Sequence, residues 1–362
     1  MLVHICCSVD SHFFLQKLQL LYPKKKLIGF FYDPNIHPYS EYKLRLLDVK
    51  RSCAKLGVKL IEGEYDYESW LEAVKGLESE PEKGKRCSVC FDNRLEATAK
   101  KAVELGIKEI TTTLFTSPKK SIEQLKKNAL HIEQKYSLHV ETPDFRMDGG
   151  TQEQFALAKR DMLYHQNYCG CLFALEKQRD SQDRLKDELM SPVSAQVLPS
   201  SIEERIGLYE RVMECEERGQ KFWLKREKFL NYRLMSALVK DSKKEVIPSY
   251  FLFYSTLKRE FTKGKIELIE DGIGYFSREE ILLVSCEKLN TILKSSYKSV
   301  NELLKKPLRV EDEIKLRKCL QESAFLTLNP IIILDNLELK KYEIKLISKT
   351  YSDVREVLVK IR

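Results

Sequence analysis

Six of the chain's ten cysteines stand in three tight pairs, Cys6/Cys7, Cys87/Cys90 and Cys169/Cys171. Adjacent cysteines are poorly placed for an ordinary disulfide, but they are good soft metal ligands when a loop turns both sulfurs to one side. The two-residue gap between Cys87 and Cys90 lets a helix start aim both thiols at one metal, and nearby free backbone N–H groups favour anionic sulfur. A disulfide across Gly170 alone would be strained, which argues against a structural role for Cys169 and Cys171 but not against a transient one. Asp10 adds a harder oxygen donor close to the first pair. Three ordered pairs point to one metal or redox centre. Cys53, Cys215, Cys286 and Cys319 stand alone and read as small buried hydrophobes.

The bulk properties frame that centre. The chain has 362 residues, enough for two domains, with 43% hydrophobic and 32% charged residues. Its formal net charge of +8 permits a polyanionic partner without requiring one. No apolar run approaches the ~18 residues of a membrane helix, and the N-terminus lacks the basic-then-apolar pattern of a secretory signal. A cytoplasmic, reducing location is therefore expected, where paired cysteines more often mean metal binding or catalysis than structural disulfides.

The elements that must carry these residues alternate. Residues 2–5, Leu27 to Phe31, Val58 to Ile61, Lys108 to Thr113 and Leu138 to Glu141 read as strands. Between them lie helical patterns: Leu44, Leu47 and Leu56 before Gly57; Trp70, Val74 and Leu77; Leu95, Ala99 and Ala102 before Gly106; and Leu125 and Ala129 after Ser117-Pro118. Thr151 and Gln154 fit a capping box opening a helix with Phe155, Ala158 and Met162 inward. The alternation predicts an α/β fold with a mostly parallel sheet covered by helices on both faces. The loop holding Asn35 and His37 should lie at a strand's carboxyl end, where open α/β sheets place ligands. Thr113 is either a strand former or a ligand-holding hydroxyl at the same mouth.

Residues 1 to about 180 resemble the QueH family of epoxyqueuosine reductases, the non-cobalamin, iron–sulfur type. The resemblance rests on the adjacent cysteines near the N-terminus, Asn35 through Pro38 with Glu41-Tyr42, Arg86-Cys87-Ser88-Val89-Cys90-Phe91, Arg94-Leu95-Glu96, Thr111-Thr112-Thr113-Leu114, Ser117-Pro118-Lys119 and Tyr168-Cys169-Gly170-Cys171. It implies an adenine-nucleotide-hydrolase-like (HUP-like) fold, a [4Fe–4S] cluster and reduction of epoxyqueuosine to queuosine at the wobble base of tRNA, the last step of queuosine biosynthesis. It also implies an electron donor and no DNA or membrane partner. Two allocations of the thiols follow from it. In one, Cys6, Cys7, Cys87 and Cys90 hold the cluster while Cys169 and Cys171 form a redox-active dithiol. In the other, all six are metal ligands, and Asp10 helps bind an additional mononuclear iron. Asn35, His37, Thr113, Arg146, Tyr164, Gln166 and Tyr168 are the expected substrate-binding residues, and Lys119 and Lys159 the expected tRNA-backbone contacts, with Arg146 a candidate for both. His165 stands where the commoner family pattern has arginine, and Ser8-Val9-Asp10 replaces the commoner alanine-proline-cysteine.

The alternative is a non-enzymatic tRNA-binding module with a structural zinc held by Cys87, Cys90, Cys169 and Cys171. It leaves Cys6, Cys7 and Asp10 without a task. An ATP-using tRNA enzyme is disfavoured, because no glycine-rich loop follows the first strand.

The resemblance stops near residue 185. Residues 1–184 are expected to form the catalytic domain and residues 185–362 an α+β extension for tRNA contact or self-association. There, Leu224 to Val239 interleaves basic and apolar residues and reads as an amphipathic helix or strand pair with some promise for RNA. Tyr250 to Leu257, Ile266 to Ile269, Ile281 to Val284, Ile331 to Leu334 and Tyr342 to Ile347 read as strands; Leu289 to Leu304 and Ile314 to Leu320 read as helices.

Overall fold

The computed structural model describes residues 1–117, 120–190, 196–278, 280–321 and 326–361. The chain divides into two compact units. The first comprises Met1–Met190, Arg205–Leu224 and Leu358–Arg362, and the second Ser191–Glu204 and Lys225–Val357.

In the first unit, β1 (Leu2–Ile5) leads into α1 (Ser8–Leu21), followed by β2 (Ile28–Phe31), α2 (Tyr39–Lys55), β3 (Lys59–Glu62), α3 (Tyr67–Ala73), α4 (Lys85–Glu104) and β4 (Glu109–Thr112). Then come α5 (Ile122–Tyr136), β5 (His139–Val140), α6 (Gly150–Arg160), α7 (Leu172–Ser181) and α8 (Ile202–Glu217), most of which belongs to this unit. The five strands form one parallel sheet in the order β3-β2-β1-β4-β5. All four residues of β1 are buried, as a strand covered on both faces must be. Val3 and Ile5 pack with Phe14, Leu15 and Leu18 of α1 and with Tyr42, Leu46 and Val49 of α2. Leu2 points the other way, onto Leu95 and Ala99 of α4 and Ala129 and Ile132 of α5. The strand period of two thus separates two helical layers.

His4 ties the centre together: Nδ1 lies 2.8 Å from the Thr112 hydroxyl and Nε2 3.0 Å from the Tyr32 carbonyl. Burial lowers its pKa to about 3, so it stays neutral. After β1 the chain builds outward through β2 and β3, then returns to lay β4 on the other side of β1. The order reverses at the β1/β4 boundary, the kind of crevice where open α/β sheets bind ligands.

Two expected elements differ. The fourth strand was expected to reach Thr113, but it stops at Thr112 and a 3₁₀ turn covers Thr113–Phe115. The Thr112 hydroxyl accepts from the Leu114 N–H at 3.2 Å and bends the chain out of the ladder. The helix expected after Ser117-Pro118 begins at Ile122 instead, capped by the Ser121 side chain; Pro118 and Lys119 lie outside the described residues.

The second unit contains most of β6 (Phe222–Lys240) and most of β13 (Lys341–Lys360), with β7 (Val246–Ile247), β8 (Tyr250–Phe251), β9 (Phe261–Glu270), β10 (Ile273–Phe276), β11 (Leu282–Ser285) and β12 (Ile331–Leu334). These strands form a sheet in the order β7-β6-β13-β9-β10-β11-β12-β8. Helices α9 (Cys286–Leu293), α10 (Val300–Lys305) and α11 (Val310–Leu320) supply Leu289, Leu303 and Leu316 to a cluster on Val284, Ile331 and Ile333. The opposite face buries Leu283, Ile332, Ile266, Phe276, Tyr342 and Ile344 in a second cluster.

The stretch from Leu224 is one long strand. The single helix expected over Leu289 to Leu304 is two. Lys294 closes the first in the left-handed region at φ 53°, and Asn290 folds its side chain onto Ser295 and Tyr297. The strand expected over Tyr250 to Leu257 ends after Phe251, because the Phe253 N–H is taken by Glu313 and the Phe253 carbonyl by Arg317.

Glu313 is buried and accepts from the Tyr250 hydroxyl at 2.6 Å. Burial pushes its carboxyl from 4.5 up to about 7, against the pull of bonds from Tyr250, Phe253 and Gln196. The folded state thus holds this proton more tightly than the unfolded chain. Its stabilising contribution is full below pH 4.5 and is lost as pH rises through 7. Thermal midpoints at pH 5 and pH 8 should therefore differ less in Glu313→Gln than in wild type. Equal differences in the two proteins would remove Glu313 as the source.

Candidate metal centre and substrate cavity

Each cysteine pair sits at the start of a helix. Cys6 directly follows β1, Cys7 is the N-cap residue of α1, and Asp10 lies in that helix's first turn. Cys87 and Cys90 occupy the opening of α4, and Cys171 is the N-cap of α7 with Cys169 just before it. Unpaired N–H groups and the positive helix end pull toward anionic sulfur at all three places, but burial pushes the Cys87, Cys90 and Cys171 thiols up, and the hydrogen bond with Cys6, with burial, pushes Cys7 up.

The first group is the tightest. The ligand atoms of Cys6, Cys7 and Asp10 all lie within 4.8 Å of one another, close enough to hold a metal ion, and no other such group of three occurs among the described residues. Cys6 Sγ is 3.9 Å from Cys7 Sγ and 3.8 Å from Asp10 Oδ2. The other Asp10 oxygen accepts from Gln154 Nε2 at 2.7 Å. Burial raises the Asp10 pKa, opposed by hydrogen bonds from Cys7 and Gln154 and by the charge of Lys120. Thr113, fully buried, brings its hydroxyl to 3.5 Å from Cys6 Sγ.

Two adjoining cavities connect this group to the remaining thiols. A cavity of about 310 Å³ is lined by Cys6, Asp10, Lys120, Gln166, Tyr168 and Cys169, among others. A small void of about 20 Å³ is lined by Cys87, Cys90, Cys169 and Cys171, with Asn35 and Trp70. Cys169, Arg94 and Lys120 border both. Lys120, only 9% exposed, places Nζ 3.0 Å from Cys169 Sγ. Burial works against the Cys169 thiolate, but the charge and hydrogen bond of Lys120, aided by Arg94, bring the thiol below its ordinary range. Burial likewise opposes the Lys120 ammonium, yet Cys169 and Cys87 hold its pKa above the ordinary lysine value.

The turn between the last two cysteines is held from outside. Arg45 donates to the carbonyls of Tyr168 at 3.0 Å and Cys169 at 3.1 Å, while Glu41 at 2.8 Å holds the guanidinium. Gly170 has φ 109°, and a Cβ there would lie 3.0 Å from both Arg45 and Ile36. Only glycine combines that backbone with that space.

The expected substrate residues fall into two groups. Gln166 and Tyr168 line the larger cavity, and the buried Gln166 Oε1 has no hydrogen-bond partner among the described residues. Asn35 borders the small void and accepts from Arg94 Nε at 3.0 Å. His37 stacks on Tyr67 with ring centroids 5.0 Å apart, and its carbonyl accepts from the Tyr168 hydroxyl at 2.7 Å. Tyr164 is buried with its hydroxyl 3.0 Å from Glu41. Arg146 is engaged by Asp144 at 3.1 Å and by the Lys120 carbonyl at 3.1 Å, bracing the segment that carries Lys120. Lys159 is exposed in the last turn of α6. Lys119 is not among the described residues.

Sequence reasoning missed Lys120, Arg45 and Arg94 as parts of the site and gave Gln154 the wrong task. Gln154 does not close a capping box: Gly149 precedes α6 with no side-chain cap, and the amide reaches Asp10 instead. The i,i+4 spacing of Glu41 and Arg45 was the available signal for one of them.

The fold and site define a parallel α/β domain with thiol and carboxylate donors at the switch point of its sheet. Residues 1–177 match the family model "Epoxyqueuosine reductase QueH". The chain is 42% identical over 354 residues to the epoxyqueuosine reductase QueH of Helicobacter pylori, covering 92% of this chain and 94% of that protein. It is 36% identical over 193 residues to the protein of the same description from Acinetobacter baylyi, covering 52% of this chain and 88% of that one. With the relative from Thermotoga maritima it shares 35% identity over 182 residues, 49% of this chain and 92% of that protein. The chain belongs to the QueH family of epoxyqueuosine reductases.

Gly170→Ala should destabilise the protein by about 1–3 kcal/mol, since alanine must either adopt a disfavoured backbone or push Arg45 aside. Chemical denaturation measures it; an unchanged midpoint and slope would show that the turn tolerates a side chain.

Proposed function

We propose that the first unit reduces epoxyqueuosine to queuosine at the wobble position of tRNA, in the cytoplasm, with an electron donor that binds transiently. Family membership supports the reaction. The observation that carries the site assignment is the Cys6, Cys7 and Asp10 group on the wall of a cavity large enough for a nucleobase side group. The parallel order with helices on both faces supports a HUP-like reading of the fold.

The reaction removes an epoxide oxygen and leaves a carbon–carbon double bond: substrate, two electrons and two protons give the alkene and water. Acidic and basic side chains supply no electrons. Cys6, Cys7, Cys87 and Cys90 would hold a [4Fe–4S] cluster, which would supply electrons one at a time, and Asp10 would help hold an additional iron, which would supply Lewis acidity. The donor chemistry fits both groups: soft sulfur at three helix starts, and one hard oxygen beside Cys6 and Cys7.

The chain's own residues do the rest. Gln166 and Tyr168 line the cavity, and the unpartnered Gln166 carbonyl is free to accept from a base edge. Asn35, His37, Thr113, Arg146 and Tyr164 act on substrate chiefly by fixing the cavity's walls and the turn at Cys169. Lys120 and Arg94 balance negative charge on the thiols and add a positive field where an oxygen leaves. Lys159, exposed, contacts the tRNA backbone.

Of the two thiol allocations, the Asp10 geometry favours ligation of an additional iron over a pure dithiol relay, because one carboxylate oxygen faces Cys6 while the other is anchored by Gln154. Anaerobically reconstituted wild type is expected to hold about five irons and Asp10→Ala about four, with the cluster spectrum retained. About four irons in both, with a Cys169–Cys171 disulfide that cycles during turnover, would select the relay. Stoichiometric zinc without sulfide, and no reduction of epoxyqueuosine tRNA, would replace the reductase by a structural zinc module.

A further inference from the structure

The second unit carries a sheet surface that the reductase reading of the first leaves without a task. Among the described residues, strands β13, β9 and β10 are covered on one side only. Tyr342, Ile344, Ile266 and Phe276 point into the buried cluster, so their neighbours point outward. The outward positions pair across strands as Lys345 with Phe261, Glu343 with Lys263, and Lys341 with Lys265. Beyond a bulge, Leu268 pairs with Tyr275.

Two features of this face are unfavourable for a surface that meets only water. Lys265 and Lys341 are directly opposed, both exposed, and among the described residues no carboxylate pairs with either ammonium. Like charges opposite one another across strands destabilise a sheet. Glu343 does not relieve them, since it is taken by Lys263 at 2.7 Å. Phe261 is 54% exposed, Leu268 52% and Tyr275 42%, so large apolar side chains share the face with the lysines. A polyanion with flat apolar groups resolves both: phosphates bridge the paired ammonium groups, and unstacked bases lie on the rings.

We propose that the outward face of β13, β9 and β10 is an RNA-docking surface, with Lys265 and Lys341 on the phosphate backbone and Phe261 and Tyr275 stacking unpaired bases. The RNA is the tRNA substrate, so the choice of occupant rests on the proposed reductase function. The docking itself is read by binding, which does not require turnover.

The test uses the full chain and labelled tRNA, with Kd measured over a series of salt concentrations. Lys265→Gln/Lys341→Gln should weaken binding at low salt and make the plot of log Kd against log salt shallower by about 1.4–1.8, the contribution of two phosphate contacts. Phe261→Ala should weaken binding roughly fivefold or more at every salt concentration and leave the slope unchanged. The double variant also removes the like-charge pair, so its thermal midpoint should not fall, which checks folding; Lys341→Gln alone serves if it does. Unchanged Kd and slope in all variants, or wild type that prefers anionic vesicles to tRNA, would overturn the proposal. Wild type that binds tRNA through this face but never reduces it would overturn the reductase reading and leave the docking surface standing.

Discussion

Buried charge governs this protein's first unit. Six thiols and a carboxylate are gathered at one end of a parallel sheet, five of the thiols and the carboxylate on the walls of one cavity or its neighbour. Thiolates in a low-dielectric pocket repel one another and lose their hydration, so they require positive charge from the protein. Helix starts supply part of it. Lys120 and Arg94, both nearly inaccessible to solvent and bordering both cavities, supply the rest. Cys169 shows the result: a part-buried thiol whose proton is held less tightly than in water.

Those buried cations must themselves be positioned. Arg94 is held by Asp33 at 2.9 Å and by Asn35. Arg146 grips the carbonyls around Lys120, and Arg45 grips the turn at Cys169 from the other side. Gly170 provides the backbone shape that lets Arg45 approach so closely. Gly150 does the same at the start of α6, where a Cβ would sit 1.8 Å from the Phe145 carbonyl oxygen. That close passage brings Gln154 under Asp10. The site is thus a set of helix starts locked by arginine–carbonyl bonds, a rigid arrangement suited to groups whose ligands must not wander.

The second unit follows a different plan. Among the described pairings its sheet is largely antiparallel, with β11 and β12 parallel, and among the described residues the helices cover the part near that pair. The remaining strands leave one face open, which a fully parallel, doubly covered sheet cannot do. A family relative from Helicobacter pylori aligns with both units, whereas those from Acinetobacter baylyi and Thermotoga maritima align with about half of this chain.

Much of the site was legible in the residues themselves. Thiol softness, the hard oxygen of Asp10 and the spacing of Cys87 and Cys90 at a helix start are properties of residue type and local sequence. The alternation of strand and helix was equally local, and so was the parallel order it implies. The tertiary structure alone decided what balances and orients those ligands. Lys120 meets Cys169 across 49 residues, and Gln154 meets Asp10 across 144. A lysine after a strand or a glutamine just past a helix's first turn carries no local mark of such a partner, and the capping pattern of Gln154 pointed elsewhere. In the second unit, strand length and helix breaks were settled by Asn290, Glu313 and Arg317, whose side chains capture backbone groups that local propensity had assigned to regular structure. Ligand chemistry is written residue by residue; counter-charge and backbone capture depend on which distant segments the fold brings within hydrogen-bond reach.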